Sequence, residues 1–211
     1  GVSGLYVCGS TGEGPLLSTT ERLSVAAAYV EAASGRLPAV IHVCHSSVSE
    51  AQDLARHAQQ IGADAISAVA PWYFKPSSVT NLVDCLAQIT AAAPDLPFYY
   101  YHIPALTGIS IDAVALLREA SDRMPTFHGI KYTAPTVDEF QELVQFDDGR
   151  FDVLFGRDEM LLYGLTAGAK GAIGSTYNLA APLYVKLMAA FERGDLTEAR
   201  RLQSLSISAI R

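Results

Sequence analysis

The chain has 211 residues, of which 50% are hydrophobic and 18% charged, and its 15 basic against 22 acidic residues give a formal net charge of −7. This composition favours a well-buried α/β enzyme over a disordered chain. Because the balance is acidic and no cluster of Lys and Arg stands out, the sequence argues against nucleic acid as a partner. The length suits one large domain as well as two small ones.

Short apolar runs alternate with helical patterns along the whole chain. We predict seven strands, at residues 4–8, 39–43, 65–70, 98–101, 127–131, 151–155 and 171–173. Helices are predicted at residues 18–33, 49–61, 79–92, 111–120, 137–144, 159–167, 182–192 and 196–210. Ser18, with Glu21 three residues later, predicts a capping box for the first helix, and Ser49 predicts the cap of the second.

The regular alternation of strand and helix predicts a parallel sheet. An open, doubly wound sheet usually carries a phosphate-binding loop after its first strand. The glycine-rich turn at 9–14 stands there, but it lacks both the dinucleotide-binding spacing and the Gly-Lys-Ser/Thr of a P-loop. We therefore predict one (β/α)8 TIM barrel domain over residues 1–211. Its first strand and first helix are expected to be missing, because only seven strands are found.

The three cysteines, Cys8, Cys44 and Cys85, are odd in number and widely spaced, and two of them lie inside apolar runs. We interpret them as reduced core residues of a cytoplasmic protein. No metal-ligand spacing is found. There is also no signal segment and no apolar run near the ~18 residues of a membrane span. A soluble, intracellular protein is expected.

One lysine directly follows an apolar strand pattern, in the stretch 126–133. Lys131 is one of four lysines. Of the others, Lys75 lies in a loop, Lys170 at a strand entrance and Lys186 on an amphipathic helix. Burial at a strand end lowers the pKa of a lysine and makes its neutral amine a nucleophile. Lys131 is therefore the candidate for Schiff-base chemistry. The alternative is that it extends from the strand end into water.

In a barrel of this kind, the chemistry takes place at the C-terminal ends of the strands. Polar or aromatic residues follow every predicted strand except the second. They are Ser10, Thr11, Glu13, Trp72, Tyr73, Tyr101, His102, Lys131, Thr133, Gly156, Asp158, Glu159, Ser175, Thr176, Tyr177 and Asn178. Tyr101, on the strand before that of Lys131, is a candidate proton carrier.

Some of these residues have an alternative, structural interpretation. Ser10 and Thr11 stand on a glycine-rich turn whose N–H groups can form a nest for a carboxylate, but a tight turn without a ligand explains them equally well. For Asp158 and Glu159, capping of the helix that they open is the favoured explanation from the sequence alone. The five histidines show no metal or triad spacing, and we interpret them as structural or surface residues.

Five segments carry a resemblance to a known family. They are GLYVCGSTGE (4–13), FYYYHIPALTG (98–108), GIKYT (129–133), LFGRDE (154–159) and GAIGSTYN (171–178). With them the chain resembles the N-acetylneuraminate lyase and dihydrodipicolinate synthase family of class I, pyruvate-dependent aldolases. The resemblance implies a (β/α)8 barrel with extra C-terminal helices, a homotetramer, and no metal or dissociable cofactor. Compared with members of this family, the chain is also expected to lack the last C-terminal helices. We expect the full-length protein to be the active form.

Within the family, the sequence is more similar to the lyases. The synthases resemble one another in an arginine that binds a second carboxylate, whereas residues 105–107 here are Ala-Leu-Thr. The resemblance therefore implies cleavage of N-acetylneuraminate to N-acetylmannosamine and pyruvate. His102 stands where bacterial members often carry Asn, and Arg157 stands at a variable place. The alternatives are a related aldolase for another 2-keto sugar acid and a non-catalytic ligand-binding barrel.

The resemblance also implies residue roles. Lys131 forms the imine with the substrate ketone, and Tyr101 relays a proton, assisted by Ser10 and by Tyr73 from a neighbouring subunit. The substrate carboxylate is held by Ser10 and Thr11. The sugar chain is contacted by Thr133, Gly156, Asp158, Glu159 and Ser175.

Overall fold

A computed structural model describes all residues of the chain, 1–211. The chain divides into two compact units, Ser3–Ile130 and Lys131–Arg211 together with Gly1–Val2. Strand β5 (Phe127–Tyr132) contributes residues to both units.

The unit Ser3–Ile130 contains four complete strands of a parallel sheet and their helices. The strands are β1 (Leu5–Val7), β2 (Ala39–His42), β3 (Ala65–Ala68) and β4 (Phe98–His102), and they are adjacent in chain order. The helices are α1 (Thr19–Ala33), α2 (Val48–Gln60), α3 (Val79–Thr90), α4 (Pro104–Thr107) and α5 (Ala113–Arg123). A short 3₁₀ helix, Gly14–Leu16, follows β1. All three strand pairs within this unit are parallel, so the predicted parallel α/β fold is confirmed.

The register of the sheet separates an apolar face from a polar one. Val7, Ile41, Ile66 and Phe98 are partners across β1 to β4, and all four are buried. Because side chains alternate along a strand, the neighbouring positions point to the opposite face. That face carries the polar side chains Tyr6, His42, Ser67, Tyr99 and Tyr101.

The second unit contains the end of β5, strand β6 (Asp152–Phe155) and four helices. The helices are α6 (Val137–Gln145), α7 (Leu161–Thr166), α8 (Tyr177–Glu192) and α9 (Leu196–Ile210), with short 3₁₀ helices at Phe146–Gly149 and Asp158–Met160. The N–H of Gly156, the residue after β6, donates to the carbonyl of Tyr132, the last residue of β5, at 2.7 Å. Helices α7, α8 and α9 share a core that includes Leu161, Leu187 and Leu202.

Several predicted boundaries are wrong for local reasons. The capping box of Ser18 and Glu21 is confirmed, but α2 is capped by Ser47, whose side chain accepts from the Glu50 N–H, and not by Ser49. Residues 171–173 form a single bridge between Ala172 and Phe155 instead of a strand. Gly171 opens this segment and Gly174 directly follows it, which leaves only Ala172 and Ile173 with strand propensity.

Two helical features were not predicted. Helix α4 begins with Pro104 and ends at Gly108, whose φ of 63° supplies the left-handed conformation that favours glycine at a helix end. Helix α8 starts at Tyr177 and therefore contains Pro182. The helix continues through this residue because the non-helical conformation of Ala180 introduces a kink that accommodates the proline. None of the helices combines the length and the apolar character that are needed to cross a membrane.

Candidate active site

Lys131 lies at the end of β5 and is the only buried lysine, with 6% of its surface exposed. Burial lowers the pKa of its amine from 10.5 to about 7, and the negative charge of Asp158 acts in the opposite direction by raising it. The alternative that Lys131 extends into water is therefore wrong, and the predicted lowering of its pKa is confirmed. Near neutral pH roughly half of such an amine is neutral and nucleophilic.

The rate of imine formation at Lys131 is expected to rise with pH through about 7 and then to level off. The sign follows from the neutral amine being the reactive form, whereas an unshifted lysine would show this rise near 10.5. Reductive trapping with pyruvate and cyanoborohydride, followed by mass spectrometry, measures this rate directly. Because Asp158 raises the pKa, Asp158→Asn is expected to move the rise to lower pH. If the trapping rate rose at the same pH in Asp158→Asn as in the wild type, this would contradict an electrostatic effect of Asp158 on the pKa of Lys131.

Asp158 is a buried carboxylate, 6% exposed, held mainly by residues far from it in sequence. Its Oδ2 accepts from the Thr176 N–H at 2.7 Å and from Thr176 Oγ1 at 2.6 Å. Its backbone carbonyl accepts from Gln203 Nε2 at 3.1 Å and from Ser206 Oγ at 3.3 Å. The carboxylate is bonded to Thr176, so capping of its own helix does not explain it.

The partners of Asp158 form a chain of hydrogen bonds with a fixed direction. A carboxylate can only accept, so the Thr176 hydroxyl must donate to Asp158 and accept from the hydroxyl of Tyr184. The Tyr184 hydroxyl is in turn 2.8 Å from Ser206 Oγ on α9, so the single Ser206 proton is shared between the Tyr184 oxygen and the Asp158 carbonyl. Gly174 completes this arrangement, because a Cβ there would lie 1.9 Å from Asp158 Oδ1. Helices α8 and α9 thus fix the position of this carboxylate.

The remaining candidates in this unit differ in exposure. Gly156 lies against Thr133, since a Cβ on Gly156 would come within 2.2 Å of Thr133 Cγ2. Glu159 forms an ion pair with Arg157, accepting from its Nε at 3.1 Å and its Nη2 at 2.7 Å. Ser175 is exposed, and its carbonyl accepts from Asn178 Nδ2 at 2.9 Å.

In the unit Ser3–Ile130, the structure brings Tyr101 and Ser10 together. Tyr101 is 3% exposed on β4, and its hydroxyl lies 3.4 Å from Ser10 Oγ. Ser10 and Thr11 are exposed on the turn after β1. This turn is tight: the Gly14 N–H donates to the Gly9 carbonyl at 3.2 Å, and a Cβ on Gly14 would lie 1.9 Å from the Cys8 oxygen.

Tyr73 occupies an exposed loop. Its side chain is 77% exposed, and its ring lies edge-on to Phe74 with 5.0 Å between the ring centres. The hydroxyl is therefore presented to the outside of this unit.

Sequence reasoning missed the residues that surround Tyr101. His42, which we interpreted as structural or surface, is buried, and its ring lies edge-on to that of Tyr101. Tyr6 and Ser67 complete the group through hydrogen bonds. The sequence did contain a signal for this group. Side chains alternate between the two faces along β1, β2 and β3, and this alternation places Tyr6, His42 and Ser67 on one face of the sheet.

The cysteines are free thiols, as predicted, and burial raises the pKa of Cys44 to about 12. A thiol with so high a pKa is a poor nucleophile at neutral pH. No group of three or more His, Cys, Asp or Glu side chains is arranged to hold a metal ion.

A family model described as the dihydrodipicolinate synthetase family matches residues 1–208 of this chain. The chain belongs to the dihydrodipicolinate synthetase family. Among the relatives of this family member is the N-acetylneuraminate lyase of Xenopus tropicalis, which is 47% identical over 204 residues, 96% of this chain and 66% of the relative. The N-acetylneuraminate lyase of Sus scrofa is 46% identical over 201 residues, covering 94% of this chain and 63% of the relative.

The structure of this family member is similar to that of Proteus mirabilis N-acetylneuraminate lyase. The TM-score is 0.97 at 41% sequence identity, covering 100% of this chain and 71% of that chain. The chain spans slightly less than two thirds of the length of the curated relatives described above.

Proposed function

We propose that the protein is a Schiff-base lyase that cleaves N-acetylneuraminate to N-acetylmannosamine and pyruvate. The observation that carries this proposal is the buried Lys131, whose pKa of about 7 supplies a nucleophilic amine at neutral pH. The substrate assignment is supported by identities of 46% and 47% to proteins named N-acetylneuraminate lyase.

The reaction begins at Lys131. Its neutral Nζ attacks the ketone carbon of the open-chain sugar acid, and loss of water gives a protonated imine. This cation withdraws electrons from the carbon–carbon bond to be broken. The charge of Asp158, which raises the pKa of Lys131, also favours the cationic imine. Burial keeps the amine neutral beforehand, and Asp158 limits the cost of the charge that forms later.

Cleavage requires the removal of a proton from the substrate hydroxyl. Tyr101 relays this proton while the adjacent carbon–carbon bond breaks: its hydroxyl oxygen accepts the substrate proton as it passes its own proton on through Ser10, and the enamine carbon takes up a proton in the later step. The hydroxyl-bearing carbon becomes the aldehyde of N-acetylmannosamine, and the bonding electrons form an enamine on Lys131. Protonation of the enamine carbon and hydrolysis of the resulting imine then release pyruvate and regenerate the lysine.

Substrate binding is divided between two sets of groups. Ser10, Thr11 and the N–H groups of their turn hold the carboxylate. The hydroxyls of the sugar chain donate to carboxylate and hydroxyl acceptors, because ionised Asp and Glu only accept. This second set comprises Thr133, Gly156, Asp158, Glu159 and Ser175.

The proposal extends to the complete protein. We infer that it closes a (β/α)8 barrel and assembles as a homotetramer, in which Tyr73 of a second copy assists Tyr101. The exposure of Tyr73, 77% in this chain, supports such a role, because a partner can reach its hydroxyl without rearrangement. The free cysteines are in keeping with a cytoplasmic protein.

Borohydride trapping tests the proposed chemistry. Incubation with pyruvate and reductant is expected to add one pyruvate-derived group to Lys131, identified by peptide mass spectrometry. An adduct at another lysine refutes the assignment, and no adduct favours a non-catalytic binder. Release of N-acetylmannosamine from N-acetylneuraminate is then compared with release of glyceraldehyde from 2-keto-3-deoxygluconate. Faster turnover of the second substrate would favour the related aldolase.

A further inference from the structure

Two rings of the unit Ser3–Ile130 contact the ring of Tyr101, and a third side chain, Ser67, is hydrogen-bonded to one of them. The rings of Tyr6 and His42 lie 5.8 Å and 5.7 Å from that of Tyr101, at interplanar angles of 82° and 76°. The Tyr6 hydroxyl is 2.8 Å from Ser67 Oγ and 3.2 Å from His42 Nδ1. We call these three residues, Tyr6, His42 and Ser67, the Tyr101 support cluster.

The register of the sheet explains why the cluster forms. Ser67 on β3 is the partner of His42 on β2 and of Tyr99 on β4. Tyr101 lies two residues beyond Tyr99 on β4, and therefore on the same face. Tyr6 reaches this face from β1, so the cluster draws on three successive strands. Side chains held by three hydrogen-bonded strands have little freedom to move.

The Tyr6 hydroxyl has one proton, so it donates one of its two hydrogen bonds and accepts the other. Either Tyr6 donates to His42 Nδ1 and accepts from Ser67, or it donates to Ser67 and accepts from a protonated His42 Nδ1. In both arrangements the Tyr6 proton stays within the cluster. Burial raises the pKa of Tyr6, and a charge on Tyr101 raises it further, although the bond to Ser67 lowers it. Tyr6 therefore remains a phenol while Tyr101 exchanges a proton.

We propose that Tyr6 and His42 are positioning residues: their rings, 5.8 Å apart, pack against each other and edge-on against the ring of Tyr101, so that its hydroxyl is aimed for proton transfer. The proposal rests on the proposed function, in which Tyr101 accepts the proton of the substrate hydroxyl. The Tyr101 hydroxyl lies 3.4 Å from Ser10 Oγ, a long distance for a hydrogen bond between two hydroxyls. The two edge-on rings supply the orientation, and the hydroxyl of Tyr6, anchored by two partners, fixes one of those rings.

Tyr6→Phe keeps the ring and removes the anchoring hydroxyl. We expect the cleavage rate at saturating N-acetylneuraminate to fall about tenfold, with KM within about twofold of the wild-type value, because misorientation affects the transition state more than binding. Trapping of pyruvate at Lys131 is expected to stay within about twofold, since that step does not need the substrate hydroxyl proton. A general loss of folding would instead lower both rates together.

His42 provides a second, independent test. His42→Ala is expected to reproduce the fall in cleavage rate. His42→Asn, whose side-chain amide lies where Nδ1 does, is expected to restore the rate to within about threefold of wild type. Tyr100→Phe is the matched control, because Tyr100 lies next to Tyr101 on β4 but on the opposite face of the sheet from the cluster. Its cleavage rate is expected to be unchanged.

NMR of ¹³C-labelled tyrosine rings, with Tyr101 assigned through Tyr101→Phe, measures positioning without any substrate. The Tyr101 ring is expected to flip at least about tenfold faster in Tyr6→Phe than in the wild type or in Tyr100→Phe. An unchanged flip rate overturns the proposal, as does a Tyr6→Phe enzyme with the wild-type cleavage rate or with trapping and cleavage lowered equally. If the wild-type protein does not cleave N-acetylneuraminate, the proposed function fails, and the ring-flip measurement alone decides whether the cluster positions Tyr101.

Discussion

Lys131→Met is expected to abolish cleavage of N-acetylneuraminate, with a loss on the order of 10⁴ or more, because the imine pathway needs a nitrogen nucleophile at this position. Methionine is an unbranched side chain that fills a buried site without a charge. The variant should therefore fold and still fail to form an adduct with pyruvate and borohydride. Steady-state cleavage assays and whole-protein mass spectrometry measure the two losses.

The stability of this variant provides a check that does not depend on activity. The pKa of Lys131 is about 7 in the folded protein against 10.5 unshifted, so between these values the unfolded state binds more protons. The wild-type free energy of unfolding is thus expected to gain a contribution as pH rises from about 7 to 10.5, and Lys131→Met should lack it. Lys170→Met makes the same change at an exposed lysine and should alter neither activity nor this pH dependence. Cleavage retained by Lys131→Met would refute the Schiff-base mechanism.

Lys131 illustrates what could be predicted from the sequence. An apolar run that ends in one lysine already implies a desolvated amine, and desolvation depends on local burial, which hydrophobic patterning predicts. The same patterning predicted the parallel fold. It failed at residues 171–173, where a short apolar run between glycines forms only a bridge.

Asp158 and His42 illustrate what could not be predicted. The partners of Asp158 come from Thr176, Gln203 and Ser206, which lie 18 to 48 positions away in sequence. His42 meets Tyr101 only because three strands align in a particular register. Sequence periodicity assigns a residue to a face, but it does not reveal which residues of different elements meet there. Only these contacts show that Asp158 is bonded to Thr176 instead of capping the helix that it opens.

Tyr101→Phe is expected to lower the cleavage rate by about 10²- to 10⁴-fold, the usual range for loss of a general acid–base group. The ring remains, so its edge-on contacts with Tyr6 and His42 are retained, and the effect reports the hydroxyl alone. The loss should exceed that of Tyr6→Phe, because removing a proton carrier costs more than misaligning it. Single-turnover experiments with N-acetylneuraminate measure the cleavage step separately from product release.

Trapping at Lys131 distinguishes this outcome from a general defect. In Tyr101→Phe the imine with N-acetylneuraminate should still form and should accumulate, because its breakdown by carbon–carbon cleavage is the step that has lost its base. Mass spectrometry after reduction would then detect the intact sugar acid on Lys131 instead of a pyruvate-derived group. Tyr100→Phe removes a hydroxyl from the adjacent, fully buried position on the opposite face of β4, and it should leave the trapped species unchanged. A Tyr101→Phe enzyme that traps only the pyruvate-derived group would show that the proton is removed by a different residue.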